Sequence, residues 1–253
     1  MTQPGRLVLV PAPLDFGMRQ QAPLADALPA TTIAQAAAIT HWICENAKTA
    51  RAFLKRIGEE RTLAVPLQQQ SIAELPRAVH KKGDHVVDYD ARPLLQAALE
   101  GHDVGLLSEA GMPAIADPGA SVVRAAHALE LPVIPLVGPS SLLLTLAASG
   151  LNGQSFAFVG YLPQDNAARA HRVRELESLA LKHAQTQLFI ETPYRNGALW
   201  DSLIQTLHPN TRLAVGSGLT LPEARCRCDT VQNWKRERPP VDNDTPAVFA
   251  IGR

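Results

Sequence analysis

Leu7-Val8-Leu9-Val10, Val104-Gly105-Leu106-Leu107 and Val133-Ile134-Pro135-Leu136-Val137 are short, unbroken apolar runs. Strands with one solvated face alternate apolar and polar residues, so unbroken runs predict strands covered on both faces of a parallel sheet. Between them, Thr49 to Ile57 carries apolar and basic residues at helical spacing. Pro93 to Leu99 and Ser121 to Leu129 predict two further helices, so the order is strand, helix, strand.

Beyond Leu151 the pattern changes. Strands are predicted at residues 155–160, 187–190, 212–215, 225–231 and 247–251, with long helices at 167–183 and 196–207 whose apolar residues lie three and four apart. Asn152-Gly153 is a turn signal at the junction. The expected fold class is therefore α/β: two α/β domains, residues 1–152 with a mostly parallel sheet and residues 153–253 with a mixed one, and a cleft between them. A chain of 253 residues is long enough for two cores.

Composition removes several classes. Lys plus Arg and Asp plus Glu number 24 each, with 12 basic and 14 acidic residues before Leu151 and 12 basic and 10 acidic from it onward. Neither half has the basic excess of a non-specific nucleic-acid binder, so any such role must rest on a local patch. Cys44, Cys226 and Cys228 lack the paired spacing of a zinc site. Cys226 and Cys228 are expected on one face of a strand, with no disulfide and no metal. The Leu7–Pro13 run reads as a buried strand rather than a signal segment, and Leu131–Leu151 is broken by prolines, glycine and serines, against a membrane span. A cytoplasmic protein is expected.

Ligands of open α/β sheets sit beyond the carboxyl ends of the strands. The loops there are unusual. Pro11-Ala12-Pro13 is a stiff elbow. Ser108-Glu109-Ala110-Gly111-Met112-Pro113 runs on through Ile115, Asp117 and Gly119, small and punctuated by Gly and Pro, with Asp117 also placed to cap the following helix. Gly138-Pro139-Ser140-Ser141 opens an apolar helix, where a serine cap explains the residues as well as ligand binding does. Glu191-Thr192-Pro193-Tyr194-Arg195 groups a carboxylate, a hydroxyl, a phenol and a guanidinium, and Arg195 pairing with Glu191 is the plain alternative. Phosphate-loop, dinucleotide, nucleophile-elbow and H-E-x-x-H motifs are missing.

Taken in order, these loops, with Ala148-Ser149-Gly150-Leu151 and Gly160-Tyr161-Leu162-Pro163, resemble the tetrapyrrole-methylase superfamily. They are most similar to its branch of ribosomal RNA small-subunit cytidine 2′-O-methyltransferases. The resemblance implies S-adenosylmethionine as methyl donor, bound in a cleft between the two domains, and a homodimer. It implies donor contacts from Pro11, Ala12 and Pro13, from Ser108, Glu109, Ala110, Gly111, Met112, Ile115 and Asp117, and from Ser140 and Ser141. In the second half it implies contacts from Thr192, Ser217, Pro246 and Ala247.

The chain departs from the ribosomal branch on the acceptor side. Glu45-Asn46-Ala47-Lys48-Thr49 stands where that branch carries an acidic E-D-T-R run, and Gly218-Leu219-Thr220-Leu221-Pro222-Glu223 is a reduced E-L-T-K-x-x-E-E run. A hydroxyl acceptor would want a general base, for which Glu45 or Glu109 is the candidate, with Lys48, Tyr194 and Arg195 on the substrate side. RNA is one acceptor consistent with this. A tetrapyrrole carbon, or a donor-binding protein without catalysis, are the alternatives.

Overall fold

The computed structural model describes residues 3–15, 17–18, 21–82 and 89–253, the side chains of 80–82 excepted. They fall into two compact units, dividing at Pro139–Ser140.

The first unit contains β1 (Leu7–Val10), α1 (Leu24–Ala27), α2 (Ala30–Ala38), β2 (His41–Cys44), α3 (Ala47–Glu60), β3 (Ser71–Glu74), α4 (Arg77–Lys82), α5 (Gln96–Leu99), β4 (Val104–Leu107), α6 (Ala120–Ala128) and β5 (Val133–Pro135). The sheet order is β3-β2-β4-β1-β5, and all four pairings are parallel. Both faces are covered, as the unbroken apolar strands require. Val8, Val10, Trp42 and Cys44 face α1, α2 and α3, packing with Leu28, Ala36, Leu54 and Ile57. Leu7, Ile43, Val104 and Leu106 face the opposite layer, with Leu95, Ala98, Val122 and Ala126. Gly105 is needed in β4 because a Cβ there would lie 2.6 Å from the Trp42 indole.

Two strands, β2 and β3, escape the sequence reading. His41-Trp42-Ile43-Cys44 is four residues opened by a polar ring, and Ser71-Ile72-Ala73-Glu74 is an edge strand with polar ends. Their strand character comes from pairing: β2 lies between β3 and β4.

The second unit contains α7 (Ser141–Ser149), β6 (Phe156–Tyr161), α8 (Asn166–His183), β7 (Thr186–Glu191), α9 (Asn196–Thr206), β8 (Arg212–Ser217), β9 (Arg225–Thr230), α10 (Val231–Trp234) and β10 (Ala247–Gly252). Its order is β6-β7-β10-β8-β9, with β6 and β7 parallel and the other pairs antiparallel. One face packs Phe189, Phe249 and Val215 against Val173, Leu176, Leu199 and Leu203 of α8 and α9. The other packs Leu188, Ala214, Val248 and Ala250 against Leu142 and Leu146 of α7. That packing puts the division before α7 rather than at residue 152: the helix buries its apolar side on the second sheet, whatever the turn at Asn152 signals. Cys226 and Cys228 share a face of β9, two residues apart, and both thiols are free.

Candidate functional site

All strands of the first sheet point their carboxyl ends to one edge. Beyond that edge the chain leaving β1 and β2 enters the α1–α3 layer, while the chain leaving β4, which lies between them, enters the opposite layer. Adjacent strands with diverging exits open a crevice. Across it, the elbow and the Gly-rich loop are tied directly: Ala12 N–H donates to Gly111 O at 2.9 Å and Gly111 N–H to Ala12 O at 3.0 Å. With prolines on both sides, Ala12 has the elbow's one N–H, and this bridge uses it. Gly111 holds φ +70°, which glycine adopts freely, and Ala114 and Ala116 are also left-handed at +63° and +65°, so the two alanines are strained positions of this loop.

The elbow is backed by Gly138, where a Cβ would fall 2.3 Å from Pro11 Cβ and Cγ. Gly138→Ala is therefore expected to cost about 1–3 kcal/mol by overpacking and to displace the elbow. Denaturant melts and donor titration check this; wild-type values for both would show that the elbow yields freely.

A cavity of about 450 Å³ opens beside the elbow, within the range of small-ligand pockets. Its walls are Ala12, Pro13 and Asp15 after β1, Cys44 and Glu45 at the end of β2, Leu107, Ser108 and Glu109 at the end of β4, and a face of α3. Thr49, Ala52, Phe53, Arg56 and Glu59 form that face at spacings of three and four. Asn46 fixes the start of α3, its side chain accepting from Lys48 N–H at 2.8 Å and Thr49 N–H at 3.4 Å. Arg56 is held from below: its guanidinium grips Asp15 at 3.1 and 2.9 Å and donates to Ala22 O at 2.7 Å.

Three carboxyl groups converge here. Burial pushes Glu45 up to about 8, reinforced by Asp117 and Glu109 and partly offset by the Glu109 N–H. Burial, then Glu109, pushes Asp117 up to about 7. Glu109 accepts from Thr49 Oγ1 at 3.3 Å. Glu45 Oε1 and Ser108 Oγ are buried without a hydrogen-bond partner among the described residues, and such groups ask for a ligand or water. Burial raises the Cys44 thiol to about 12, so it is no nucleophile at neutral pH. Among the described residues no group of His, Cys, Asp and Glu could hold a metal ion.

The residues expected from sequence divide cleanly. Ala12, Pro13, Glu45, Ser108 and Glu109 line the cavity, with Pro11 and Gly111 immediately behind it. Ala110, Met112, Ile115 and Asp117 follow in the same loop, Ile115 being 49% exposed. Gly119, not Asp117, holds the N-cap position of α6. Lys48 is not on the cavity wall, whose basic residues are Lys55 and Arg56. In the second unit, Ser140 is the N-cap residue of α7 without a side-chain cap bond, and Ser141 follows it. Glu191, Ala247 and Ser217 are register partners on β7, β10 and β8, which sets Thr192 and Pro246 on the same sheet end. Arg195 pairs with the buried Glu191 at 2.8 Å and lies 5.2 Å from the Tyr194 ring centre. The plain ion-pair reading of Arg195 is thus the one its geometry supports.

Residues 29–233 match the tetrapyrrole (corrin/porphyrin) methylases. The chain belongs to that family. A ribosomal RNA small subunit methyltransferase I from Mesorhizobium japonicum is 30% identical over 190 residues, 75% of this chain and 58% of that protein. Its counterpart from Xylella fastidiosa is 30% identical over 215 residues, 85% of this chain and 68% of that protein. The alignments span between 38% and 68% of these and two further curated relatives, so the chain matches only part of their length. In fold it is similar to uroporphyrin-III-C-methyltransferase from Thermus thermophilus, at 17% identity and TM-score 0.53, and to the methyltransferase CobJ, at 18% and 0.58; each alignment covers 98% of this chain and 94% of the other.

Of the cavity-wall residues, sequence reasoning missed Asp15, Phe53, Lys55, Arg56 and Glu59. The signal for four of them was present as the helical spacing of 49 to 57 continued to Glu59, but without β2 in place nothing turned that face toward the strand ends.

Proposed function

We propose that the protein is an S-adenosylmethionine-dependent methyltransferase acting on RNA. The observation that carries the reading is the bridge between Ala12 and Gly111, which joins two loops at the point where adjacent strands diverge and sets them on a carboxyl-lined cavity. The group fits: Glu45, Glu109 and Asp117 crowd together, and a cationic ligand relieves their repulsion. The residues that would hold the donor are the Pro11–Pro13 elbow and the 108–112 loop, with the orphaned Ser108 hydroxyl as a further contact. When bound, the donor supplies an electrophilic methyl group on a positively charged sulfur.

The chain's own part is positioning and proton handling. A bound acceptor hydroxyl must be held in line and deprotonated. Glu45 is held protonated at neutral pH and becomes a base only toward pH 8, so it serves as base on the alkaline side and as a hydrogen-bond donor below. The names of the relatives support RNA as the acceptor. The same reading has the protein working in the cytoplasm as a homodimer, which light scattering checks; no helix of the described residues is long and apolar enough to cross a membrane.

Calorimetry with S-adenosylmethionine and its demethylated product tests the donor assignment. Affinity for the donor, with its sulfonium charge, is expected to rise about tenfold from pH 6 to pH 8.5 as the carboxyls ionise, with a smaller change for the product, which lacks that charge. Binding of neither below millimolar, about −4 kcal/mol, rejects the reading. Labelled methyl transfer to small ribosomal subunits, total RNA and a porphyrinogen then identifies the acceptor.

A further inference from the structure

The helix that walls the cavity carries a second feature. Lys48, Arg51 and Lys55 follow one another at spacings of three and four on α3, and all three are exposed. They occupy the strip of helix surface next to the cavity face and meet it at Lys55, which lines the cavity. Residues so spaced lie about 5–6 Å apart, and seven residues of helix span roughly 10 Å.

The arrangement is electrostatically unfavourable for the isolated chain. Lys48 sits in the first turn, which has no acidic residue and where the helix dipole disfavours a cation. Like charges three and four residues apart repel by a few tenths of a kcal/mol per pair. None of the three takes part in an ion pair among the described residues. Arg56, one position on, differs in that Asp15 neutralises it. Of the acids close by, Glu74 accepts from Ala47 N–H at 2.6 Å, Glu45 lines the cavity, and Glu59, four residues after Lys55 and also on the cavity wall, forms no ion pair with it among the described residues. Arg77, exposed at the start of α4, adds a fourth cation beyond the neighbouring strand β3.

We infer that the Lys48–Arg51–Lys55 strip is where the phosphate backbone of a single-stranded RNA lies as its target nucleotide enters the cavity. This rests on the proposed methyltransferase reading and adds to it the surface that holds the acceptor. A row of unpaired cations leading to the rim of a carboxyl-lined cavity sorts the two parts of a nucleotide chain. The phosphates stay on the strip, kept from the cavity by the Glu109 carboxylate on its wall, and the sugar and base pass the rim. The strip also reconciles the chain's zero net charge with an RNA partner, since recognition needs only a local row.

The test is the salt dependence of binding to a 20-nucleotide single-stranded RNA, read by fluorescence anisotropy. Three lost phosphate contacts at ~0.7 each reduce the slope of log K against log salt by about 2. The triple variant Lys48→Ala, Arg51→Ala, Lys55→Ala is expected to show that reduction, and the charge-preserving Lys48→Arg, Arg51→Lys, Lys55→Arg to restore the wild-type slope. A slope unchanged in the alanine variant, or reduced equally in the charge-preserving one, overturns the inference. So does wild-type protein that binds donor but no RNA, an outcome that leaves donor binding intact and moves the acceptor to another class. Failure of donor binding itself is read separately, by calorimetry on the wild-type chain without RNA.

Discussion

Glu45→Gln is expected to lower turnover by about 10²- to 10⁴-fold and, at the same time, to make the folded chain more stable at alkaline pH. Both effects come from one cause. Burial holds the Glu45 carboxyl up to about 8, and Asp117 and Glu109 add to the shift, whereas an unfolded glutamate titrates near 4.3. Between those values the native state binds a proton that the unfolded state has released. Stability is therefore fully present below about pH 4, declines as pH rises through 8, and levels off beyond. Asp117, pushed up to about 7, works in the same direction. Glutamine cannot ionise, so the variant stays level where wild type declines, and the gap between them widens from pH 5 to pH 9. Denaturant melts from pH 5 to 9 read this, and parallel curves would mean the carboxyl is solvated.

The rate profile supplies the second half. With Glu45 as base, kcat climbs by up to tenfold per pH unit toward pH 8 and then flattens. Glu109→Gln removes a charge that raises both neighbours, so it is expected to move that rise to lower pH without removing it. A Glu45→Gln enzyme with the wild-type rate and profile ends the role of this residue.

Arg56→Ala is expected to destabilise the first unit by about 3–5 kcal/mol. The Asp15 and Arg56 side chains are 5% and 18% exposed and meet through two hydrogen bonds, with a third from Arg56 to Ala22 O. Removing the guanidinium strands a buried carboxylate, which costs far more than a surface pair would contribute. Asp15→Asn in the Arg56→Ala background removes the stranded charge and should recover part of the loss. Since both residues also wall the cavity, KM is expected to rise with the single change. Urea unfolding of the four proteins of this cycle measures the coupling, and a loss under about 1 kcal/mol would class the pair with exposed salt bridges.

Much of this was open to reading along the chain. The apolar runs at β1 and β4 announce a parallel sheet, because only strands covered on both faces can be apolar throughout; the third run differs, since β5 is an edge strand ending at Pro135, and Val137 beyond it is 71% exposed. The Gly- and Pro-rich loops announce themselves, because their residues are poor material for a core and suited to close backbone approach. α8 and α9 were legible from spacing, within a residue of their observed ends. Less local facts were not. β2 is four residues whose identity as a strand depends on β4 and β3 beside it. Without β2, neither the turn of α3 toward the strand ends nor the enclosure of Glu45 can be deduced.

By itself the sequence determined the fold class, the family resemblance, the elbow and the loop that meets it, since each rests on neighbouring residues whose backbone preferences and apolar pattern act locally. The tertiary structure alone decided that α7 belongs to the second sheet, that Arg56 is spent on Asp15 rather than free for substrate, and that burial beside Asp117 and Glu109 raises the Glu45 carboxyl. Those outcomes depend on which groups from distant segments are buried together, and burial and charge pairing are properties of the packed chain.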